Sequence, residues 1–267
     1  MKQISCEIAL ELAGQSRRAT TAGAQNRVRV TDNNRSPRAN PHPLQIFLPQ
    51  KMFVPVATPC RIICSGASMS GKTVFTFKLI DNIDRLFSPA PKKIIYFYGA
   101  WQPLFEEYVH KVTFIEGLPS LDKIGSTDGG VFMVIDDLFL EVGEEMANFF
   151  TKYSHHSGIS LCFLTQQFFY QNKYSRTISL NADIIVLFKS VRDLMSISYL
   201  SRQMYPKKCS FLVDCYRKAT VAPYSYIFIN LQPLYPEILR IQTNIFDLHP
   251  TILAPAAEDF KSWRRNL

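Results

Sequence analysis

The strongest chemical signal in the chain is the run Gly66, Ala67, Ser68, Met69, Ser70, Gly71, Lys72 and Thr73. The pattern G-x-x-x-x-G-K-[ST] suits a phosphate group. Its glycines permit a tight path, successive backbone N–H groups turn inward on the anion, and a helix that follows presents its positive end. Lys72 is then set to neutralise β- and γ-phosphate oxygens, and the Thr73 hydroxyl to ligate magnesium. The spacing predicts a loop that binds ATP with Mg2+.

A magnesium ion on such phosphates needs a second protein contact, and Val131-Phe132-Met133-Val134-Ile135 delivers Asp136 and Asp137 at the end of an apolar run. Asp136 is expected to hold the metal through water, and Asp137, pointing differently, to polarise an attacking water as general base. Two acids there also suit a helix cap, but the intact loop upstream favours the metal reading. A water-activating acid beside the metal ligand favours hydrolysis over transfer to a metabolite. Another apolar run ends in Thr165-Gln166-Gln167, where Gln166 is expected to sense the γ-phosphate or orient water. Arg192, Arg176 and Arg202 are candidates for an arginine supplied to a neighbouring subunit's site, in that order for the first two. His155 and His156 are adjacent, diverge by about 100° on a helix and have no ligand partner at metal spacing, so they predict no metal site. Phe168-Phe169-Tyr170 and Trp101 are expected to pack, with a place near the site open to Trp101 and Gln102.

These residues need elements to position them. Short apolar runs at 61–64, 93–98, 131–135, 159–164 and 183–188 are rich in Ile, Val, Phe and Tyr. They are nearly continuous rather than alternating, as in strands covered by helices on both faces. Residues 73–86, 146–153 and 194–204 read as helices, 112–115 as an added edge strand, and 224–231 with 238–246 as a closing hairpin or end strands. The fold class predicted is α/β: a P-loop NTPase of the additional-strand, RecA-like type, with a mainly parallel five-stranded core sheet between helices. A length of 267 residues, 47% hydrophobic and 19% charged, suits one such domain at 44–250. Residues 1–43 read as a basic, disordered arm carrying Arg17, Arg18, Arg27, Arg29, Arg35 and Arg38, and 251–267 as a tail.

The net charge of +8 favours an acidic partner such as nucleic acid. Neither a signal peptide nor a membrane span is read, so the chain is expected to be intracellular and not secreted. Cys6, Cys60, Cys64, Cys162, Cys209 and Cys215 form no C-x-x-C pair and read as small hydrophobic residues in a reducing compartment.

Taken together the motifs resemble the FtsK–HerA superfamily of P-loop ATPases, in particular the poxvirus-type DNA-packaging ATPases of large double-stranded DNA viruses and Maverick/Polinton elements. The resemblance runs over about 53–246. Besides the loop and Val131 to Asp137, it is carried by Tyr98-Gly99-Ala100-Trp101-Gln102, Ser154-His155-His156, Thr165-Gln166-Gln167, Arg176 through Asn181, Leu187-Phe188-Lys189 with Val191-Arg192-Asp193, and Thr243 through Phe246. It implies a homo-oligomeric ring that hydrolyses ATP to thread double-stranded DNA into a capsid at a portal-like vertex. The host nucleus or cytoplasm, or the virion itself, is the implied location. It also implies that His155 and His156 are a family feature. The arm before Leu44 has no counterpart there, and 217–223 match loosely. A small-molecule kinase and a non-packaging nucleotide switch are the alternatives; the first lacks an Arg-rich lid segment between Asp137 and Arg192, and the acid pair disfavours the second.

Overall fold

The computed structural model describes residues 44–46, 54–119, 124, 127–136, 147, 150–151, 157–168 and 173–255. In chain order the strands are β1 (Leu44–Ile46), β2 (Val56–Ala57), β3 (Arg61–Ser65), β4 (Phe87–Ser88), β5 (Lys93–Tyr98), β6 (Thr113–Glu116), β7 (Val131–Asp136), β8 (Ile159–Thr165), β9 (Ile184–Phe188), β10 (Tyr226–Asn230), β11 (Ile241–Thr243) and β12 (Thr251–Ala254). Helices α1 (Lys72–Asp81), α2 (Ile83–Leu86), α3 (Lys173–Leu180), α4 (Leu194–Met204) and α5 (Ser210–Ala219) lie between them, with a 3-10 turn at Pro103–Tyr108.

Every residue of β7, β8, β9 and β10 is buried, which is why their apolar runs are continuous. They belong to a ten-stranded sheet in the order β1-β12-β11-β10-β9-β3-β8-β7-β5-β6. From β9 to β6 neighbouring strands run parallel. From β9 outward through β10, β11, β12 and β1 each pair is antiparallel.

The expected five-stranded core is therefore half of a larger mixed sheet. The expected edge strand is β6, and the expected hairpin is β10 with β11. β12 extends the sheet to Ala254, into the stretch expected as a tail, and pairs with β1. These two strands have four and three residues and join segments about two hundred positions apart, so no local pattern announces them.

The helix expected over 73–86 is interrupted. α1 stops at Asp81, and Asn82 Nδ2 donates to Lys78 O (2.9 Å) while its backbone N–H reaches Lys78 O and Leu79 O. An Asn side chain that takes a last-turn carbonyl ends a helix well, and α2 starts afresh. Helix 194–204 is as expected. The helix expected over 146–153 lies almost wholly outside the described residues, as do residues 1–43.

One face of the sheet, built from Ile62, Cys64, Val134, Cys162, Leu164 and Val186, packs on Phe75, Phe77, Leu79 and Ile80 of α1. At the amino ends of β3 and β9, Asp183 takes a two-pronged contact from Arg61, Nε to Oδ2 at 2.9 Å and Nη2 to Oδ1 at 3.1 Å. Cys60, Cys64, Cys162 and Cys215 are buried, as expected for small hydrophobic residues, whereas Cys209 is exposed. Among the described residues no helix is long and apolar enough to cross a membrane.

Candidate phosphate- and metal-binding site

The octapeptide at 66–73 joins β3 to α1, so the loop expected from the sequence sits at the carboxyl edge of the sheet, where α/β folds bind ligands. It is held at its start by Gly66 N–H donating to Thr165 O of β8 (3.1 Å) and folds on itself through Ser70 N–H to Ala67 O (3.2 Å). Two residues take left-handed backbone, Met69 at φ 61° and Gly71 at φ 100°. Gly71 tolerates that without a Cβ penalty. Met69 adopts it with its side chain almost wholly exposed.

Space at Gly66 is tighter still. A Cβ there would lie 2.6 Å from both Phe188 Cβ and Ser70 Oγ, so only glycine lets the chain pass between β9 and the loop's own far limb.

Several features of the loop fit an anion. Gly71 caps α1 with no side-chain hydrogen bond, and the first turn has no acid. The leading N–H groups and the helix dipole therefore face the loop without a competing carboxylate. Ser70 Oγ is buried and has no hydrogen-bond partner among the described residues, a donor and acceptor that a phosphate oxygen or its water would satisfy. Lys72 is buried, and its Nζ donates to Gly66 O (2.7 Å) and Ala67 O (3.0 Å). The ammonium thus lies within the loop, tethered to the carbonyls it must partly release to reach a phosphate.

Beside the loop opens a cavity of about 640 Å3, in the range of small-molecule sites. Residues 69–75 form one wall; Lys78, Phe188, Tyr224, Tyr226 and Phe246 form the rest. The aromatic wall is tied together by Phe75, whose ring meets Tyr226 at 4.7 Å, Phe246 at 5.1 Å and Phe188 at 5.7 Å. Tyr224, at φ 60° and mostly exposed, leans toward Gly71. A polar loop at one end and aromatic rings at the other match the two ends of a nucleotide. Sequence reasoning gave Tyr224, Tyr226 and Phe246 no place at the site. Tyr224 and Tyr226 show only as aromatic content in the last strands and Phe246 only as the end of the Thr243–Phe246 block, and nothing local links them to a loop some 150 positions upstream.

Asp136 ends β7, two strands from β3, with β8 between. Register pairs Asp136 with Leu164 and Ser65 with Thr165, so the acid and the loop share one edge, roughly 10 Å apart by strand spacing. Alternation along β7 puts Asp136 on the same face as Phe132 and Val134, the face that α1 covers. It is buried, and Tyr96 donates its hydroxyl proton to Oδ2 at 2.6 Å.

Burial, followed by the charge and hydrogen bond of Asp136, pushes the Tyr96 phenol far up, so it stays a donor. Burial also lifts the Cys64 thiol, helped by Cys162 and Asp136 and opposed by Lys72; the Lys72 and Asp136 charges therefore both bear on this sulfur beneath the loop. A carboxylate and a Thr hydroxyl beside a phosphate loop are ligands suited to Mg2+, which takes few protein oxygens and keeps waters.

The other expected site residues divide. Gln166 is exposed just past β8, in a turn where Thr165 Oγ1 donates to Gln167 O (2.9 Å). It sits at the same edge, between the loop strand and the Asp136 strand. Arg192 is exposed shortly after β9, the strand that flanks Gly66, and Arg176 is exposed on α3. Arg202 lies on α4 over the Tyr199 ring, 5.8 Å from its centroid. Trp101 meets the rings of Tyr98, Phe105 and Phe114 at 5.4–5.5 Å while its side chain stays exposed, and Phe168 is buried, a packing residue as expected. Asp137, His155 and His156 lie outside the described residues, as do Phe169 and Tyr170.

No protein-family model and no curated protein sequence matches the chain. Among solved structures it is similar to the genome-packaging NTPase B204 of Sulfolobus turreted icosahedral virus 2 in complex with ATP-γS, at 14% identity and a TM-score of 0.44 over 73% of this chain and 97% of that one. It is also similar to B204, the DNA-packaging ATPase of Sulfolobus turreted icosahedral virus, at 13% and 0.45 over 74% and 98%. The KaiC-like protein of Pyrococcus horikoshii OT3 follows at 11% and 0.39 over 74% and 90%. At these scores none of the likenesses bears on the site, which stands on its own residues: a phosphate loop on an α/β sheet, with a buried carboxylate at the same edge.

Proposed function

We propose that the chain is an ATPase that uses hydrolysis to move double-stranded DNA into a capsid. The observation that carries the nucleotide part is the pairing of the uncapped, glycine-restricted loop with Asp136 on one edge and one face of the sheet. In this reading the loop N–H groups and Lys72 hold the phosphates, Thr73 would ligate Mg2+ and Asp136 would hold it through water. The aromatic cavity takes the base and sugar. When bound, the metal supplies charge neutralisation at the phosphates. Asp137 withdraws a proton from the attacking water, and Gln166 orients that water. Arg192, with Arg176 and Arg202 behind it, is the arginine offered to a neighbouring copy.

DNA and the capsid, with a ring of copies at a portal-like vertex, enter through the resemblance of the S-H-H, T-Q-Q, S-L-N and F-K-x-x-R-D blocks to viral packaging ATPases. The basic balance of +8 is consistent with a DNA partner.

The test is ATP turnover by the purified chain with and without double-stranded DNA. Turnover should rise with DNA. It should fall by about 100-fold or more in Lys72→Ala and Asp137→Asn, the scale of losing one transition-state contact. Turnover indifferent to DNA removes the motor part, and turnover unchanged by both substitutions removes the site.

A further inference from the structure

We propose that Tyr96 is a positioning residue for Asp136, fixing the orientation in which that carboxylate would hold, through water, a divalent cation bound with the nucleotide. The inference rests on the nucleotide-binding reading above. Tyr96 sits two residues short of the end of β5 and pairs with Val134, while Tyr98 pairs with Asp136. Its side chain therefore runs along the sheet toward the carboxyl edge, and its hydroxyl arrives 2.6 Å from Asp136 Oδ2. That length is typical of a hydroxyl donating to an ionised carboxylate, which is among the stronger hydrogen bonds in proteins. A carboxylate with one oxygen so engaged has lost its free rotation.

The ring has little freedom of its own. It is 0% exposed, and it stacks on Phe77 with centroids 5.5 Å apart and planes within 3°. Phe105 and Phe114 close on it at 5.0 and 5.5 Å. Phe77 belongs to α1, the helix that carries Lys72 and Thr73. One chain of contacts thus runs from the phosphate-loop helix through Phe77 and Tyr96 to Asp136, and it sets both metal-binding side chains in one frame. Groups that orient a metal-holding side chain from behind commonly tune metal affinity by about 10- to 100-fold.

The test is binding of a fluorescent ATP analogue to the full chain, titrated with MgCl2. Tyr96→Phe keeps the ring and its stack and removes only the hydroxyl. It should leave metal-free affinity within about twofold of the parent while raising the Mg2+ concentration for half-maximal tightening about tenfold. In an Asp136→Asn background the same substitution should add nothing, because the hydroxyl acts only through that carboxylate. A Tyr96→Phe protein with the parent's Mg2+ requirement, or a full additional effect in the Asp136→Asn background, overturns the proposal. If Tyr96→Phe does not fold, Phe77→Leu keeps the hydroxyl and loosens its seat; it must raise the Mg2+ requirement, and an unchanged requirement overturns the proposal. A parent chain that binds the analogue identically with and without Mg2+ fails earlier, at the metal site itself.

Discussion

Replacing Gly66 by alanine tests whether the loop's path is dictated by its two neighbours. The added methyl would lie 2.6 Å from Phe188 Cβ and from Ser70 Oγ, and 3.3 Å from Phe188 Cγ. Ser70 can rotate away. Phe188 Cβ cannot, because it is fixed to the backbone of β9, which is hydrogen-bonded to β3 on one side and β10 on the other. Its ring is locked against Phe75 and Tyr226.

The loop must therefore yield by several tenths of an ångström, stretching the Gly66 N–H bond to Thr165 O. Overpacking of this kind costs about 1–3 kcal/mol. At about 2–4 °C per kcal/mol for a domain of this size, a cost near 2 kcal/mol lowers the melting temperature by about 4–8 °C. If the loop relieves the clash by leaving its phosphate-binding shape, nucleotide affinity falls about tenfold for each 1.4 kcal/mol. Thermal unfolding and titration with an ATP analogue read the two effects separately. A variant that melts within about 1 °C of the parent and binds the analogue equally well would refute the close approach of β9 to the loop.

Three further outcomes follow from other contacts. Tyr224→Ala, which removes a mostly exposed ring from the cavity wall, should weaken nucleotide binding by about 1–3 kcal/mol if the ring stacks on a base; titration with the analogue measures it, and stability should move by less than about 0.5 kcal/mol. Asp183→Asn breaks the two-pronged contact with Arg61 at the far end of the strands; it should cost about 1.5–3 kcal/mol in denaturant unfolding and leave nucleotide affinity unchanged. Burial pushes the Cys162 and Cys215 thiols up to about 12, whereas unfolded thiols ionise near 8.5. Their contribution to stability is thus intact below about pH 8.5 and is lost as pH rises toward 12. Unfolding followed between those values should show the decline, and an alkylating reagent near pH 8 should modify exposed Cys209 ahead of the buried thiols.

The sequence by itself determined what short-range chemistry can encode. The glycine, lysine and threonine spacing of 66–73 and the apolar run ending in Asp136 are local patterns. Their readings as a strand-to-helix loop and a strand-end acid agree with the fold because strand and helix periodicity are properties of a few consecutive residues. The same holds for the parallel half of the sheet. Where the pattern was weak, the reading stopped short. Asn82, which ends α1 by taking its own helix's carbonyls, is an unremarkable polar residue in a continuous helical periodicity, and β12 and β1 are too short to show a period at all.

The roughly thirty residues from Asp136 to Gln166 suit one crossover and so adjacent ends for β7 and β8, as found. Only the tertiary structure decided that β3 lies on the far side of β8 and that β9 stands against Gly66, and no spacing along the chain encodes either. The same long-range pairing brings Tyr224, Tyr226 and Phe246 beside the loop and lays Tyr96 against Asp136. Such contacts depend on the summed burial of the whole sheet rather than on any segment's preference. The sequence could therefore name the loop and its acid, while the aromatic wall beside the loop and the tyrosine set against the acid emerged only once the sheet had closed around them.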